Sequence, residues 1–176
     1  MICRLLRDSD ENVRKKAFGE MVRNFSPRIY WQIRRLVFSH DDANDIMQET
    51  FIKVWTSLSS FRGDSSLFTW VYRIAVNEAL TFLRKKKNNV SIDSPEADYV
   101  RELPTDAYFD GDEAQIRFQK AISTLPDKQR LVFNMRYFDE MKYEDMSKIL
   151  GTSVGALKAS YHIAVTKITA NLSEAD

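Results

Sequence analysis

Apolar residues recur every three to four positions along most of this chain, which is the period of an amphipathic helix. The first such stripe consists of Phe18, Val22, Phe25, Ile29, Ile33 and Val37. Only five glycines and four prolines are present, and most of them lie between periodic segments. Helix is therefore favoured throughout, with a break expected near Ser26 because Pro27 interrupts the first stripe.

The composition excludes several classes of protein. Apolar residues make up 44% of the chain and aromatics 12%, which is enough for compact cores. Cys3 is the single cysteine, so no internal disulfide is possible, and the spacing of histidines and carboxylates predicts no metal, cofactor or catalytic site. No apolar run reaches the roughly 18 residues of a membrane span, and no signal peptide is evident. We expect a cytoplasmic protein that is not an enzyme.

A net charge of only +1 hides an uneven distribution of charge. Four consecutive cations, Arg84 to Lys87, exceed what helix-end capping requires. The acids that follow are Asp93, Glu96, Asp98, Glu102, Asp106, Asp110, Asp112 and Glu113, against the one basic residue Arg101. We therefore predict an all-α protein with two small helical domains, residues 1–88 and 112–176, joined by a flexible acidic linker at residues 89–111.

The second predicted helix, from Asp41 to about Leu58, has two different faces. Its inward face consists of Ala43, Met47, Thr50, Val54 and Leu58. Its other face combines acids with large apolar groups, namely Asp45, Gln48, Glu49, Ile52 and Trp55. Because apolar groups gain from burial while charges set the register, this second face suits a specific protein partner. The alternative is that Ile52 and Trp55 pack on a neighbouring helix.

The third predicted helix starts near Leu67 and carries an aromatic and basic face. Its inward residues are Val71, Ala75, Ala79 and Phe82, and its outward residues are Trp70, Arg73, Asn77, Thr81 and Arg84. An indole ring can stack an unpaired base with roughly 1–3 kcal/mol, while arginine and amide groups hold phosphates and base edges. This face, preceded by the polar run of residues 61–66, is interpreted as a surface for single-stranded nucleic acid. A solvated face with one surface aromatic is the alternative.

The C-terminal part restarts near Asp112 with a helix, followed by a second helix over Gln129 to Phe138. It then shows helix-turn-helix spacing: a helix ending at Gly151, which suits a left-handed helix end, and a second helix capped by Ser153. In such a motif the early residues of the second helix read base edges in the major groove. An ordinary helical hairpin is the alternative.

Taken in chain order, these motifs resemble the sigma-70 family of bacterial RNA polymerase sigma factors, specifically the extracytoplasmic-function (ECF) group with only regions 2 and 4. The resemblance covers nearly the whole chain. Residues 41–55 resemble the helix that grips the clamp of the largest polymerase subunit, and residues 61–75 resemble the segment that melts and reads the minus-10 element. Residues 125–137 and the helix-turn-helix resemble the region that meets the polymerase flap and reads the minus-35 element.

The resemblance implies a role for particular residues. Core polymerase is contacted by Asp45, Gln48, Glu49, Ile52 and Trp55. The minus-10 strand is contacted by Phe61, Arg62, Gly63, Asp64, Ser65, Trp70, Arg73, Asn77, Arg84, Lys85 and Lys86. The minus-35 duplex is contacted by Ser153, Val154, Lys158, Ser160, Tyr161 and His162. Leu131, Val132 and Met135 could serve either the flap or an anti-sigma factor, which is a further candidate partner.

The second helix of the helix-turn-helix departs from the family pattern. Three arginines that are frequent there are missing, Lys158 and His162 remain, and Tyr161 replaces the usual leucine. We expect fewer phosphate contacts and more readout of DNA shape, with more of the binding placed on polymerase and the minus-10 element. His162 could also be a surface residue without a role in DNA binding.

Two other functions are compatible with parts of the sequence. A free-standing helix-turn-helix regulator would normally dimerise on a palindrome and would not need the Trp70 face or a polymerase-facing helix. An adaptor or inhibitor would bury the Trp55 and Trp70 faces against other proteins, and its binding would be insensitive to salt.

Overall fold

The computed structural model describes residues 2–89 and 112–173 of the chain. Within these ranges the regular elements are helices and no strand occurs. The chain divides into two compact units, Met1–Thr81 and Phe82–Asp176. Most of the acidic linker predicted at residues 89–111 lies outside the described residues.

The two long helices at the start of the first unit, α2 and α3, begin at side-chain caps. The elements are α1 (Ile2–Leu5), α2 (Glu11–Val37), α3 (His40–Ser57), a 3-10 turn (Leu58–Ser60) and the start of α4 (Leu67–Asn89). The Asp10 carboxylate accepts a hydrogen bond from the Asn12 amide at 2.8 Å, and the Ser39 hydroxyl accepts one from the Asp42 amide at 3.2 Å. Such caps typically stabilise a helix by about 1 kcal/mol.

The break expected at Ser26 is wrong, because α2 continues unbroken through Pro27. Proline has no amide hydrogen, so one helical hydrogen bond is lost at this position. The Pro27 ring is exposed, however, and Met21, Ile29 and Ile33 on either side of it are buried. Since each fully buried aliphatic side chain contributes roughly 1.5–3 kcal/mol, the packing of α2 outweighs the loss.

The core of the first unit involves α2, α3 and α4. Helix α2 packs along α3, and the Phe25 ring of α2 meets Phe68 of α4 edge-on, with centroids 5.2 Å apart. The predicted inward residues Val71, Ala75 and Ala79 are at most 1% exposed, whereas Phe82 is half-buried. These contacts fix the face that α4 turns outward.

Four described helices lie wholly within the second unit, which contains the predicted helix-turn-helix. The helices are α5 (Glu113–Ser123), α6 (Asp127–Tyr137), α7 (Tyr143–Leu150) and α8 (Val154–Ser173). Gly151 ends α7 in the left-handed conformation, with φ of 65°. The Ser153 hydroxyl then accepts a hydrogen bond from the Ala156 amide at 3.2 Å and caps α8. The helix-turn-helix predicted from spacing is confirmed.

A buried arginine holds the turn between α5 and α6. The Arg130 guanidinium donates to the carbonyls of Ser123 and Leu125 at 3.3 and 3.1 Å and pairs with the Asp127 carboxylate at 3.0 Å. Carbonyls at a helix end have no donor within the helix, so a side chain that reaches them replaces the missing bonds. The turn is therefore set by Arg130 as well as by Pro126.

Three apolar residues of α6 that could have served a partner are buried. Leu131, Val132 and Met135 are 1%, 5% and 0% exposed, so the described structure does not present them to the flap or to an inhibitor. Helix α6 packs against α8 along its length, and this side of it turns inward. The exposed aromatic side chain of α6 is Tyr137, with 51% of its surface accessible.

Candidate nucleic-acid and polymerase interfaces

The outer face of α3 presents the residues predicted to contact polymerase. Asp45, Gln48 and Glu49 are exposed, and Ile52 is 57% exposed. The Trp55 ring is half-buried against Phe18 of α2, with centroids 5.0 Å apart in an edge-to-face arrangement. Packing on a neighbouring helix thus describes Trp55 but not Ile52. The face therefore combines the indole of Trp55, which packs on Phe18, with the exposed aliphatic side chain of Ile52 and the nearby acids.

The opposite side of α3 anchors this face. Ala43, Thr50 and Val54 are fully buried, and the Thr50 hydroxyl donates to the Ile46 carbonyl at 2.7 Å within the helix. These residues fix the rotation of α3 in the first unit. Asp45 and Ile52 are turned outward as a consequence, because residues on the other side of the helix fill the core.

Residues Phe61–Ser66, hereafter the recognition loop, are fixed at both ends and exposed in the middle. The Phe61 ring is only 8% exposed. At the other end, the Ser66 hydroxyl accepts a hydrogen bond from the Thr69 amide at 3.1 Å and caps α4. Between these anchors Arg62, Gly63 and Asp64 are exposed and Ser65 is half-exposed, so polar groups are presented on a short, constrained segment.

Gly63 turns the recognition loop with a left-handed backbone, at φ of 86°. Residues with a side chain are strained in this conformation, whereas glycine adopts it freely. The space around Gly63 is open, so it is the backbone, and not crowding, that requires a glycine.

Trp70 on α4 rests on the buried end of the recognition loop. Its ring lies 5.2 Å from the Phe61 ring at an angle of 47°, and it is half-buried. Arg73 and Asn77, one and two turns along α4, are exposed. Near the end of the same helix Arg84, Lys85 and Lys86 are also exposed. The arrangement gives a partly exposed indole, an amide and a series of cations along one helix.

The placement of Phe61 changes the role expected for it. A ring that is 8% exposed and covered by Trp70 has no free face for a base, so direct contact with the minus-10 strand is not supported. Phe61 instead holds Trp70 and the start of the loop. The sequence contained no signal for this role, because Phe61 lies in a polar run that gives no sign of its burial.

The N-terminal part of α8 presents the predicted minus-35 residues unequally. Lys158 and His162 are exposed, as is the capping residue Ser153, while Val154 and Ser160 are half-buried. The Lys158 ammonium lies 5.8 Å from the centre of the Tyr143 ring. Lys158 and His162 are thus the two basic side chains available on the part of α8 nearest the turn. This small number agrees with the prediction of fewer phosphate contacts, which was based on the three missing arginines.

Tyr161 is packed into the second unit. Its ring is stacked on Phe133 of α6, with centroids 5.7 Å apart and planes 13° from parallel, and it adjoins the buried cluster that includes Ala164 and Ile168. Burial raises the pKa of the Tyr161 hydroxyl, and the neighbouring Tyr143 raises it further. A direct contact with DNA is therefore not supported for the face of the ring that Phe133 covers.

The described residues contain no group of three or more histidine, cysteine or acidic side chains arranged to hold a metal ion. In the same part of the chain, no helix is both long and apolar enough to span a membrane.

Two family profiles match the chain in the order of its two units. Sigma-70 region 2 matches residues 21–89, and Sigma-70, region 4 matches residues 115–168. The first includes α3, the recognition loop and α4. The second includes the helix-turn-helix.

Full-length relatives are also similar to this chain. The RNA polymerase sigma-H factor of Pseudomonas aeruginosa is 31% identical over 156 residues, which is 82% of this chain and 80% of the relative. The ECF RNA polymerase sigma-E factor of Escherichia coli K12 is 32% identical over 156 residues, covering 82% of this chain and 81% of the relative.

Solved structures share the fold. The sigma factor RpoE of Bartonella quintana, in complex with the anti-sigma factor NepR, aligns with a TM-score of 0.69 and 26% identity over 90% of this chain and 98% of that one. CnrH in complex with the cytosolic domain of CnrY aligns with a TM-score of 0.71 over 99% and 96% of the two chains. At 20% identity the second likeness concerns the fold alone.

Proposed function

Because this chain belongs to the ECF group of the sigma-70 family of RNA polymerase sigma factors, we propose that its two units divide the recognition of a promoter between them. The protein is a bacterial transcription initiation factor that binds core RNA polymerase, directs it to specific promoters and helps to melt the minus-10 element. The free-standing regulator is not favoured by this membership. Which surfaces perform each step is the content of the proposal.

Core polymerase docks on the outer face of α3. The observation that carries this assignment is Ile52, an aliphatic side chain 57% exposed beside the exposed acids Asp45 and Glu49. An apolar centre with a charged rim is the usual composition of a specific protein interface. Gln48 adds a hydrogen-bonding group, and Trp55 supplies the edge of a rigid, supported ring.

The recognition loop and α4 take the minus-10 element. Opening a duplex requires that an unstacked base be captured, and Trp70 offers a stacking surface next to the polar centre of the loop. Arg73 and Asn77 extend this surface along α4. The cations Arg84, Lys85 and Lys86 contribute affinity for phosphates without sequence information.

The start of α8 takes the minus-35 element in the major groove. Ser153, Val154, Lys158, Ser160 and His162 are the candidates for contact, with Tyr161 supporting the helix from inside. With few cations at this position, most of the electrostatic affinity is expected from α4 and from polymerase. The domain limits that accompany this division are residues 1–88 and 112–176.

The protein acts in the cytoplasm and has no catalytic activity of its own, because RNA synthesis belongs to the polymerase. An anti-sigma factor is proposed as a regulatory partner. The support is the fold shared with RpoE of Bartonella quintana, which was solved bound to such a factor.

Run-off transcription from randomised promoter templates tests the function directly. Purified bacterial core polymerase is supplied with or without the protein, and the transcripts are sequenced. We expect transcripts that require the protein and share two spaced elements. Core binding without transcription would favour an inhibitory role, and absence of core binding would favour a separate DNA-binding regulator.

Substitution of Ile52 by serine tests the docking surface. Loss of a central apolar side chain from an interface should weaken core binding by about 10-fold, since this corresponds to roughly 1.4 kcal/mol. Ile163→Ser is the matched control, because Ile163 is 44% exposed on α8 and outside the proposed surface. Equal effects of the two substitutions on core affinity, measured by fluorescence anisotropy, would contradict the assignment.

A further inference from the structure

We propose that Arg7 is a positioning residue for minus-10 recognition, and this inference rests on the function proposed for the recognition loop. Arg7 lies in the N-terminal segment, outside the residues matched by Sigma-70 region 2. It lines a cavity together with Trp55 of α3, while its hydrogen bond and its ring contact are both made with Phe61. Its effect is exerted through Phe61.

Arg7 makes two contacts with the same residue. Its Nη2 atom donates a hydrogen bond to the Phe61 carbonyl oxygen. Its Cζ atom also lies 5.8 Å from the centre of the Phe61 ring, within the range of a cation–π interaction. One guanidinium therefore holds both the backbone and the side chain at the first residue of the recognition loop.

The Phe61 carbonyl stands where the chain leaves a helical turn. The Phe61 amide still donates to the Leu58 carbonyl at 3.3 Å, but its own backbone is extended, with φ of −69° and ψ of 109°. The chain beyond it therefore does not continue the helical bonding that would supply a donor to this carbonyl. Arg7 supplies one, and a charged donor gives a stronger hydrogen bond than a neutral donor does.

The hold on Phe61 extends to the proposed stacking residue. The Phe61 ring has Arg7 within cation–π range and also adjoins Trp70, whose centroid is 5.2 Å away. A shift of Phe61 would therefore move the support of Trp70 and the entry to the loop together. Arg7 therefore holds the first residue of the loop directly and supports Trp70 through that residue.

The N-terminal segment itself is anchored beside Arg7. Leu6 is 4% exposed, and its amide donates to the Ile2 carbonyl at 3.0 Å, while the Arg7 amide donates to the Arg4 carbonyl at 3.1 Å. Helix α1 packs against α2. The guanidinium thus extends from a fixed backbone, which is what a residue that positions another requires.

The test compares Arg7→Ala and Arg7→Lys with Arg4→Ala. Arg4 is an exposed arginine of α1, so its removal deletes the same charge from the same segment. The holoenzyme is assembled with each variant, and its affinity is measured for a single-stranded oligonucleotide carrying the minus-10 element found by run-off transcription. We expect roughly 10-fold weaker binding for Arg7→Ala, partial recovery for Arg7→Lys, and less than about 2-fold change for Arg4→Ala. Core affinity and melting temperature should remain unchanged.

Hydrogen exchange of the free protein separates this inference from the proposed function. Loss of the anchor should accelerate amide exchange in residues 61–66 by roughly 10-fold in Arg7→Ala but not in Arg4→Ala. If the wild-type holoenzyme fails to bind the oligonucleotide, the proposed function fails, while exchange still reports whether Arg7 holds the loop. Unchanged exchange, or equal losses of oligonucleotide binding in Arg7→Ala and Arg4→Ala, would overturn the role of Arg7. A parallel fall in core affinity and melting temperature would overturn it too, because Arg7 would then be only a structural residue.

Discussion

The two helices proposed to meet promoter DNA each carry an aromatic residue, but the two rings have different surroundings. Trp70 on α4 is half-buried and leans on Phe61 at an angle of 47°. Tyr161 on α8 is also half-buried, yet it is stacked nearly parallel on Phe133 and adjoins the core cluster of the second unit. Similar exposure therefore does not imply similar availability to a base.

The difference shows how each helix is specialised. On α4 the core positions are filled by other residues, among them Val71, Ala75 and the fully buried Tyr72, so the indole of Trp70 is not needed to fill the core. On α8 an aromatic residue itself fills the space against α6. The first surface is suited to stacking on an unpaired strand, and the second to polar contact with an intact duplex.

The largest expected effect comes from removing the Tyr161 ring. Tyr161→Ala should lower the free energy of unfolding of the second unit by about 2–4 kcal/mol, because a stacked ring is replaced by a cavity. Urea unfolding followed by circular dichroism measures the change. If this variant were as stable as the wild type and lost minus-35 binding alone, the ring would be a DNA contact and the contrast with Trp70 would disappear.

Removing the Trp70 ring should instead affect binding. Trp70→Ala is expected to weaken affinity for the minus-10 strand by about 1–3 kcal/mol, the usual contribution of base stacking. Trp70→Phe, which keeps a stacking surface, is the control and should retain most of the affinity. A melting temperature that falls as far as that of Tyr161→Ala, with strand affinity unaltered, would show that both rings are structural.

The contribution of charge on α8 should be smaller. Lys158→Ala is expected to weaken duplex binding similarly for all sequences and to reduce the slope of log affinity against log salt by about 1. Lys167→Ala is the comparison, since Lys167 lies farther from the turn and donates to Gln129 at 3.1 Å. Anisotropy titrations at several salt concentrations measure both slopes. Equal slopes for the two variants would mean that the DNA runs along more of α8 than proposed.

The smallest effect concerns the Tyr161 hydroxyl. Burial raises the pKa of this group above its usual value near 10, so the hydroxyl ionises more readily in the unfolded chain than in the folded one. Folding therefore becomes less favourable as the pH rises above about 10, until the pH exceeds the higher pKa of the folded form. Tyr161→Phe should therefore match the wild type near pH 8 and become the more stable of the two above about pH 10. Urea unfolding at both pH values gives the difference, and a constant difference would argue against a buried hydroxyl.

The order of helices and the helix-turn-helix could be predicted from the sequence, because they depend on local signals. Apolar periodicity placed α3 and α4, and Gly151 with Ser153 marked the turn before α8. The break predicted near Ser26 was wrong, because Pro27 removes only one helical hydrogen bond. The continuity of α2 is decided by the packing of the residues on both sides of the proline.

The roles of individual rings could not be predicted, because they depend on residues distant in sequence. Leu131 and Met135 follow the same helical period whether a partner or α8 covers them. Phe61 lies in a polar run and gave no sign of burial. Its hydrogen bond from Arg7 spans 54 positions of the chain, a contact that no spacing rule suggests.

The recognition loop contains residues that hold its backbone and exposed residues that do not. Its ends, Phe61 and Ser66, and the left-handed Gly63 hold the backbone in place, while Arg62 and Asp64 are exposed and fill no part of the core. Substitutions at such surface positions usually change stability by no more than about 0.5 kcal/mol. Under the role proposed for this loop, promoter preference could be redesigned at these positions without any adjustment of the scaffold.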